Sequence, residues 1–165
     1  MKNLLFLSAV AFFAFLSCRN DELGLQKIDQ IIQLYIDSAG QDMLNNNIKG
    51  GYTNIRMNDV NGLTDTAPVT FGSKKNADTV SYIEYVAGAR RIRIDSSANS
   101  KTYESRIALL MTKKVSSTKS VIISDTMRIQ YHWTPDLFQV SRIWYNNQLK
   151  FTKVGDELNI VKVSK

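Results

Sequence analysis

Cysteine and histidine are almost absent from this chain: one of each, Cys18 and His132, in 165 residues. A single thiol excludes a disulfide within the chain. A zinc site, which draws on Cys and His, would have to be built almost wholly from carboxylates. No metal and no other cofactor is therefore expected. A Ser/His/Asp set would have to use His132 as its base, and no G-x-S-x-G elbow is present to carry the serine. Phosphate-cradling glycine loops are missing too, since neither G-x-x-x-x-G-K-[ST] nor G-x-G-x-x-G occurs. Asp125, Asp136 and Asp156 leave open a carboxylate pair that converges in space, with His132 beside it. Acids at turns are more often turn formers, so no residue is assigned a catalytic role and the chain reads as a non-enzyme.

Dense basic tracts are missing as well. The net charge is +6, but it is spread out, and Arg90, Arg91 and Arg93 form the densest group. A mild positive balance suits anionic headgroups or an acidic glycan rather than nucleic acid. No apolar run is long enough to span a bilayer. The longest, "LLFLSAVAFFAFL" over residues 4–16, reaches roughly 20 Å as a helix, against about 30 Å of hydrocarbon. With Lys2 ahead of it and no polar face, it reads as the h-region of a signal peptide.

The one cysteine follows that run directly. "FLSC" (15–18) resembles the lipobox of bacterial lipoproteins: small Ser17 precedes Cys18, with Leu16 and Phe15 before it, Phe15 standing where Leu is usual. The resemblance implies cleavage before Cys18, diacylglycerol on its sulfur and usually a third acyl chain on the new amine. Two or more chains anchor stably, because each buried CH₂ contributes about 0.8 kcal/mol. Arg19 stands where an aspartate retains many such proteins in the inner membrane. Asp21 and Glu22 resemble the acidic export tag of surface lipoproteins of Bacteroidota; they equally suit an ordinary solvated linker. The expected organisation is a signal peptide at 1–17, a lipidated cysteine and short linker at 18–24, and one β-rich domain at 25–165. The expected location is the outer membrane, lipid-anchored, on its periplasmic or its outer face.

Within the body, Ile28, Ile32, Tyr35, Ala39 and Met43 recur at spacings of three and four, which predicts an amphipathic helix over 25–45. "NNNIKGG" (45–51) would stop it. Beyond it the period is two. Strands are expected at 78–86, 90–95, 103–111, 121–133, 137–145, 149–154 and 158–163, with weaker ones at 52–57 and 68–72. "NNQ" (146–148) and "GD" (155–156) mark tight turns. With no helices between the strands, parallel pairing is not expected. The expected fold class is α+β, the helix packed on a curved antiparallel sheet that resembles the cystatin, NTF2 or LolA type of envelope domain. The alternative is an antiparallel β-sandwich with one helix.

Two further patterns stand out. "DSA" (37–39), "DTA" (65–67), "DTV" (78–80) and "DTM" (125–127) share Asp, a hydroxyl residue, then a small or apolar residue. They resemble the O-glycosylation motif of Bacteroidota envelope proteins, which would make Ser38, Thr66, Thr79 and Thr126 acceptors, Thr66 the most accessible. The same tripeptides also suit strand openings, Asp closing a turn and Thr fitting the sheet. Tyr82, Tyr85, Trp133, Trp144 and Tyr145 could form a binding face, since Trp and Tyr stack on sugars and line apolar clefts; at alternating positions in strands they also suit a core. The expected function is a non-enzymatic binding module of the cell envelope. It is held to the membrane by its lipid and contacts an envelope protein or glycan; no oligomeric state is implied. The alternative is a periplasmic carrier or sensor of a small apolar ligand held between helix and sheet.

Overall fold

The computed structural model describes residues 24–86 and 88–165, and those residues form an all-β fold. In chain order the strands are β1 (Lys27–Asp29), β2 (Ile32–Ser38), β3 (Gln41–Asp42), β4 (Tyr52–Asp59), β5 (Gly72–Lys75) and β6 (Ser81–Tyr85). They continue as β7 (Ile92–Ser96), β8 (Lys101–Lys114), β9 (Ser120–Trp133), β10 (Leu137–Tyr145), β11 (Gln148–Thr152) and β12 (Asn159–Ser164). Signal peptide, Cys18, Asp21 and Glu22 lie outside the described residues.

Two sheets face each other. The larger is curled and runs β1-β10-β9-β8-β4, with β11 continuing the β10 edge and β7 continuing the β8 edge. The smaller runs β12-β2-β6-β5, with β3 beside β2. The alternation of each strand sends one set of side chains between the sheets. From the large sheet these include Met57, Ile107, Leu109, Met127, Ile129, Val140 and Ile143; from the small one, Ile32, Leu34, Ile36, Ile83, Tyr85, Val161 and Val163. Bulges keep this alternation in step. One falls between Val140 and Arg142, and the carbonyl of the extra residue, Ser141, accepts the amide of Lys153 at 2.9 Å.

The helix expected over 25–45 is absent, and with it the α+β class in both its forms; the same residues carry β1, β2 and β3. The spacing of three and four overlies a stronger period of two: Ile32, Leu34 and Ile36 are buried while Gln33, Tyr35 and Asp37 between them are not. Ile28, placed on the helix stripe, is 62% exposed. Ala39 and Gly40 sit at φ 51° and 77°, the left-handed pair of a two-residue hairpin turn joining β2 to β3. A helix cannot continue through it. Partners on both sides, β12 and β6, then decide the matter, since a central strand satisfies every backbone group.

Two pairings are parallel, contrary to the all-antiparallel expectation: β1 with β10 and β12 with β2. Parallel neighbours need a long crossover; here most of the chain serves as that crossover, so no βαβ unit is required. Between β1 and β2 the chain passes from one sheet to the other at Gln30–Ile31. Asn159 holds this crossing, its Nδ2 donating to the Ile31 carbonyl and to Asp29 Oδ1, both at 2.9 Å. Lys153 Nζ, almost fully buried, pairs with Asp29 Oδ2 at 2.5 Å and also donates to Asn159 Oδ1 and the Glu157 carbonyl.

Candidate functional site

At the β1 end of the molecule, the inward face of the large sheet runs out beyond the small sheet and stays open. Register places Trp133 opposite both Lys101 and Phe138, Tyr103 opposite Tyr131, and Ile28 beside Phe138. The result is a groove of about 360 Å³ lined by Ile28, Arg91, Tyr103, Trp133 and Phe138, with Gln26 and Gln30 at its rim. Its floor is aromatic. Tyr131 and Phe138 stack at 5.4 Å, and Tyr103 meets Phe138 edge-on at 6.4 Å.

Two cations rest on these rings. The Arg91 guanidinium lies 4.9 Å from the Tyr131 centroid and 4.8 Å from that of Phe138. Lys101 Nζ lies 4.2 Å from the Trp133 ring. Such contacts are worth roughly 0.5–2 kcal/mol each, and they leave N–H donors free. Arg91 Nη2 donates to Gln30 Oε1 at 2.6 Å. Among the described residues, no carboxylate lies within ion-pair distance of Arg91 or Lys101. Burial pushes the Tyr131 hydroxyl above its ordinary pKa, although Ser105 and Arg91 pull against that rise; it remains a neutral group at the base of the groove. The loop "WTPDLF" closes one wall: Thr134 and Leu137 exchange backbone bonds across Pro135–Asp136, and the Asp136 carbonyl accepts Lys27 N at 2.9 Å.

The other aromatics divide. Tyr85 and Tyr145 are core. Tyr82 stacks on Tyr35 at 5.2 Å on the outer face of the small sheet. Trp144 lies under Arg128 at 3.8 Å on the outer face of the large sheet, beside Glu104. Burial pushes the Glu104 carboxyl up, but bonds from Arg106, Gln130 and Arg128 outweigh it and hold the group below its usual range.

The acids weighed for catalysis are dispersed. Asp125 and His132 point to opposite faces of β9, roughly 24 Å apart along the strand. Asp136 is exposed in its turn, and Asp156 pairs with Lys27 at 2.6 Å. Asp125 instead bridges the two sheets. Tyr145 donates to its Oδ2 at 2.6 Å, Asn146 Nδ2 to its Oδ1 at 2.8 Å, and Lys165 Nζ also binds Oδ2. Among the described residues, no group of three or more His, Cys, Asp or Glu could hold a metal ion.

The four hydroxyls of the Asp-Ser/Thr tripeptides differ in setting. Ser38 Oγ donates to the Lys165 carbonyl at 2.7 Å. Thr66, Thr79 and Thr126 are exposed: Thr66 in the 60–67 loop, Thr79 at φ 64° in the β5–β6 turn, Thr126 on the outer face of β9. Of the residues in and beside the groove, local sequence pattern points only to Trp133 for binding and to Arg91 for its charge. Lys101, Phe138, Gln26 and Gln30 gave no signal, because the β-register that gathers them is not written in any local pattern. The chain matches no family model, no curated protein and no solved structure.

Proposed function

We propose that this protein is a non-enzymatic binding module of the cell envelope, lipid-anchored to the outer membrane through Cys18, and that its groove takes an acidic glycan. The observation that carries this reading is the pairing of half-buried rings with two cations that have no carboxylate within ion-pair distance among the described residues. Trp133 and Tyr103 offer faces for the C–H surface of a sugar ring. Arg91 and Lys101 offer donors to its carboxylate or phosphate, Arg91 in a planar fork suited to either. The net positive charge, +6 over the full sequence and +5 once cleavage before Cys18 removes Lys2, draws such a polymer in. The groove also lies at the end from which the chain leads back to Cys18. Six linker residues, 19–24, reach at most roughly 20 Å, which keeps the groove near the membrane surface. Exposed apolar side chains gather at that end: Leu25, Ile28 and Ile31, with Val154 and Leu158 on the segment tied to Lys27 and Asp29.

The test is a titration of the full-length protein with uronic-acid oligosaccharides, followed by tryptophan fluorescence, against the same sugars with their carboxyls reduced. Acid-dependent binding that Trp133→Ala and Arg91→Ala each abolish supports the reading. Equal binding of acidic and reduced sugars, or none, overturns it. A saturated fatty acid titrated in parallel addresses the carrier alternative: saturable binding of that probe alone makes the groove an acyl-chain site. Radiolabelled palmitate and membrane fractionation test the anchor, which Cys18→Ala removes.

A further inference from the structure

On the side away from the β1–β11 edge, the two sheets end in free edges that face each other without bonding. These edges are β4 and β5. The β4 edge is closed at its two ends and free between them: Val69 N donates to the Met57 carbonyl at 2.9 Å and Asp59 N to the Ala67 carbonyl at 2.7 Å, while Tyr52 N donates to the Met43 carbonyl at 2.8 Å. Residues 57 and 59 therefore aim their backbone groups at the free side. Register with β8 is unbroken from Asp59 back to Ile55, so by alternation Ile55 does the same. On β5 the phase follows from the turn. Asn76 exchanges bonds with Thr79 N and the Val80 carbonyl, which makes Lys74 and Gly72 the residues bonded to β6 and turns the N–H and C=O of Ser73 and Lys75 away from it.

Ile55, Ser73 and Lys75 thus line one trough of about 340 Å³ from opposite walls, with Phe71 and Leu44 at its base. Strands pair at about 4.8 Å, so a strand seated in the trough and bonded to both walls would stand about that far from each. The chemistry of the walls specifies that strand. On the inward side Ile55, Phe71 and Leu44 are half-buried apolar groups at the border of the core, and the pairing of Ser73 with Ile83 and of Lys75 with Ser81 puts those two side chains on the same face. On the outward side the flanking residues are Arg56, exposed on β4, and Lys74 on β5. Lys75 also lines the trough, and Lys49 and Lys114 line its continuation past Asn46 and Thr53. Among the described residues, no aspartate or glutamate lines either part; Glu84 pairs with Lys74 from the side at 2.6 Å.

We propose that this seam is a strand-addition site for a protein partner, filled by an extended segment that alternates apolar side chains inward with acidic side chains outward. The added strand bonds to Ile55 on one wall and to Ser73 and Lys75 on the other, and so joins the two sheets into one continuous surface. Backbone bonds supply the affinity and the alternating side chains the specificity. Free edges are otherwise a liability for a folded protein; here lysines at the rim admit one class of strand and repel basic ones. The site shares no residue with the aromatic groove.

The experiment uses the full-length protein and a labelled eight-residue peptide alternating glutamate with valine, read by fluorescence anisotropy. Two control peptides replace glutamate by lysine or N-methylate alternate backbone amides. The glutamate peptide is expected to bind and the lysine peptide to bind at least roughly tenfold more weakly, with methylation producing a comparable loss, the scale of one or two backbone hydrogen bonds. Ser73→Pro removes a donor that faces away from β6, a position where an edge strand tolerates proline; it should weaken binding while the thermal midpoint holds. Arg56→Glu, which leaves the backbone untouched, should shift the preference toward the lysine peptide. No binding of the glutamate peptide, or equal binding of the N-methylated one, overturns the proposal. So does an unchanged preference in Arg56→Glu.

Discussion

Replacing Asp125 by asparagine tests how the two sheets are held together. Asp125 is 5% exposed, and its carboxylate accepts from Tyr145, Asn146 and Lys165. Bonds to a charged group contribute roughly 1.5–3 kcal/mol each. An amide that keeps its oxygen for Asn146 puts an NH2 donor where Oδ2 accepted from Tyr145 and Lys165, so it severs the Tyr145 bond and loses the charge that holds Lys165. Lys165, a quarter exposed at its side chain, can turn to water, so no cation is left stranded. The expected loss is about 2–4 kcal/mol, or roughly 6–12 °C in thermal midpoint for a domain of this size. Tyr145→Phe should cost about 1.5–3 kcal/mol. Because both variants sever the same bond, the double variant should fall short of their sum by at least about 1 kcal/mol. Urea unfolding followed by Trp133 and Trp144 fluorescence measures all four proteins. Additive losses, or a loss under about 0.5 kcal/mol in Asp125→Asn, would refute the bridging role. The sign of the pH dependence follows from the same contacts. Burial pushes the Asp125 carboxyl up, but the bonds from Lys165, Tyr145 and Asn146 bring it below its ordinary value. The unfolded chain therefore takes up this proton first as pH falls. The contribution is complete above the ordinary aspartate value near pH 4 and lost as pH drops through the folded value. Asp125→Asn should flatten that acid limb, leaving the part due to Glu104, which is lowered in the same sense.

Ala39, at φ 51° ahead of Gly40 at 77°, occupies a left-handed position that costs an alanine roughly 1–2 kcal/mol. Ala39→Asn should raise stability by about 0.5–1 kcal/mol, since Asn-Gly is the preferred pair for this turn, seen as a higher midpoint in calorimetry. Leu34→Ala and Ile28→Ala separate strand from helix over this segment. Leu34 is 1% exposed and Ile28 62%, so urea unfolding should show losses of about 2–4 kcal/mol for the first and under about 0.5 kcal/mol for the second.

What local pattern could say of this fold, it said where the pattern was pure. The strand expected at 137–145 is β10, residue for residue: Phe138 and Val140 keep one phase of period two, Ile143 and Tyr145 the next, and the bulge at Ser141 joins them. Asn146 and Asn147 turn the chain at φ 46° and 65°, as "NNQ" suggests. Local pattern failed at 25–45, where one set of residues satisfies both periods; there the presence of β12 and β6 chooses, and both are remote in sequence. It failed again at the groove. Arg91, Lys101, Trp133 and Phe138 belong to four separate stretches, and only the pairing register of β8, β9 and β10 brings them together.

The amino-acid sequence by itself determined the leader-like run, the lone Cys18 that follows it, the lack of cysteine and histidine partners for metal or thiol chemistry, and the β character of residues 80–163. These rest on composition and on spacings within one segment. Only the tertiary structure decided that the N-terminal segment is strand, that its neighbours are parallel, that Asp125 bridges sheets rather than serving a carboxylate pair, and that two edges are left facing each other. Each of those depends on which strands become neighbours. That choice is made by burial of the whole apolar set at once, a non-local quantity that no short window of residues contains.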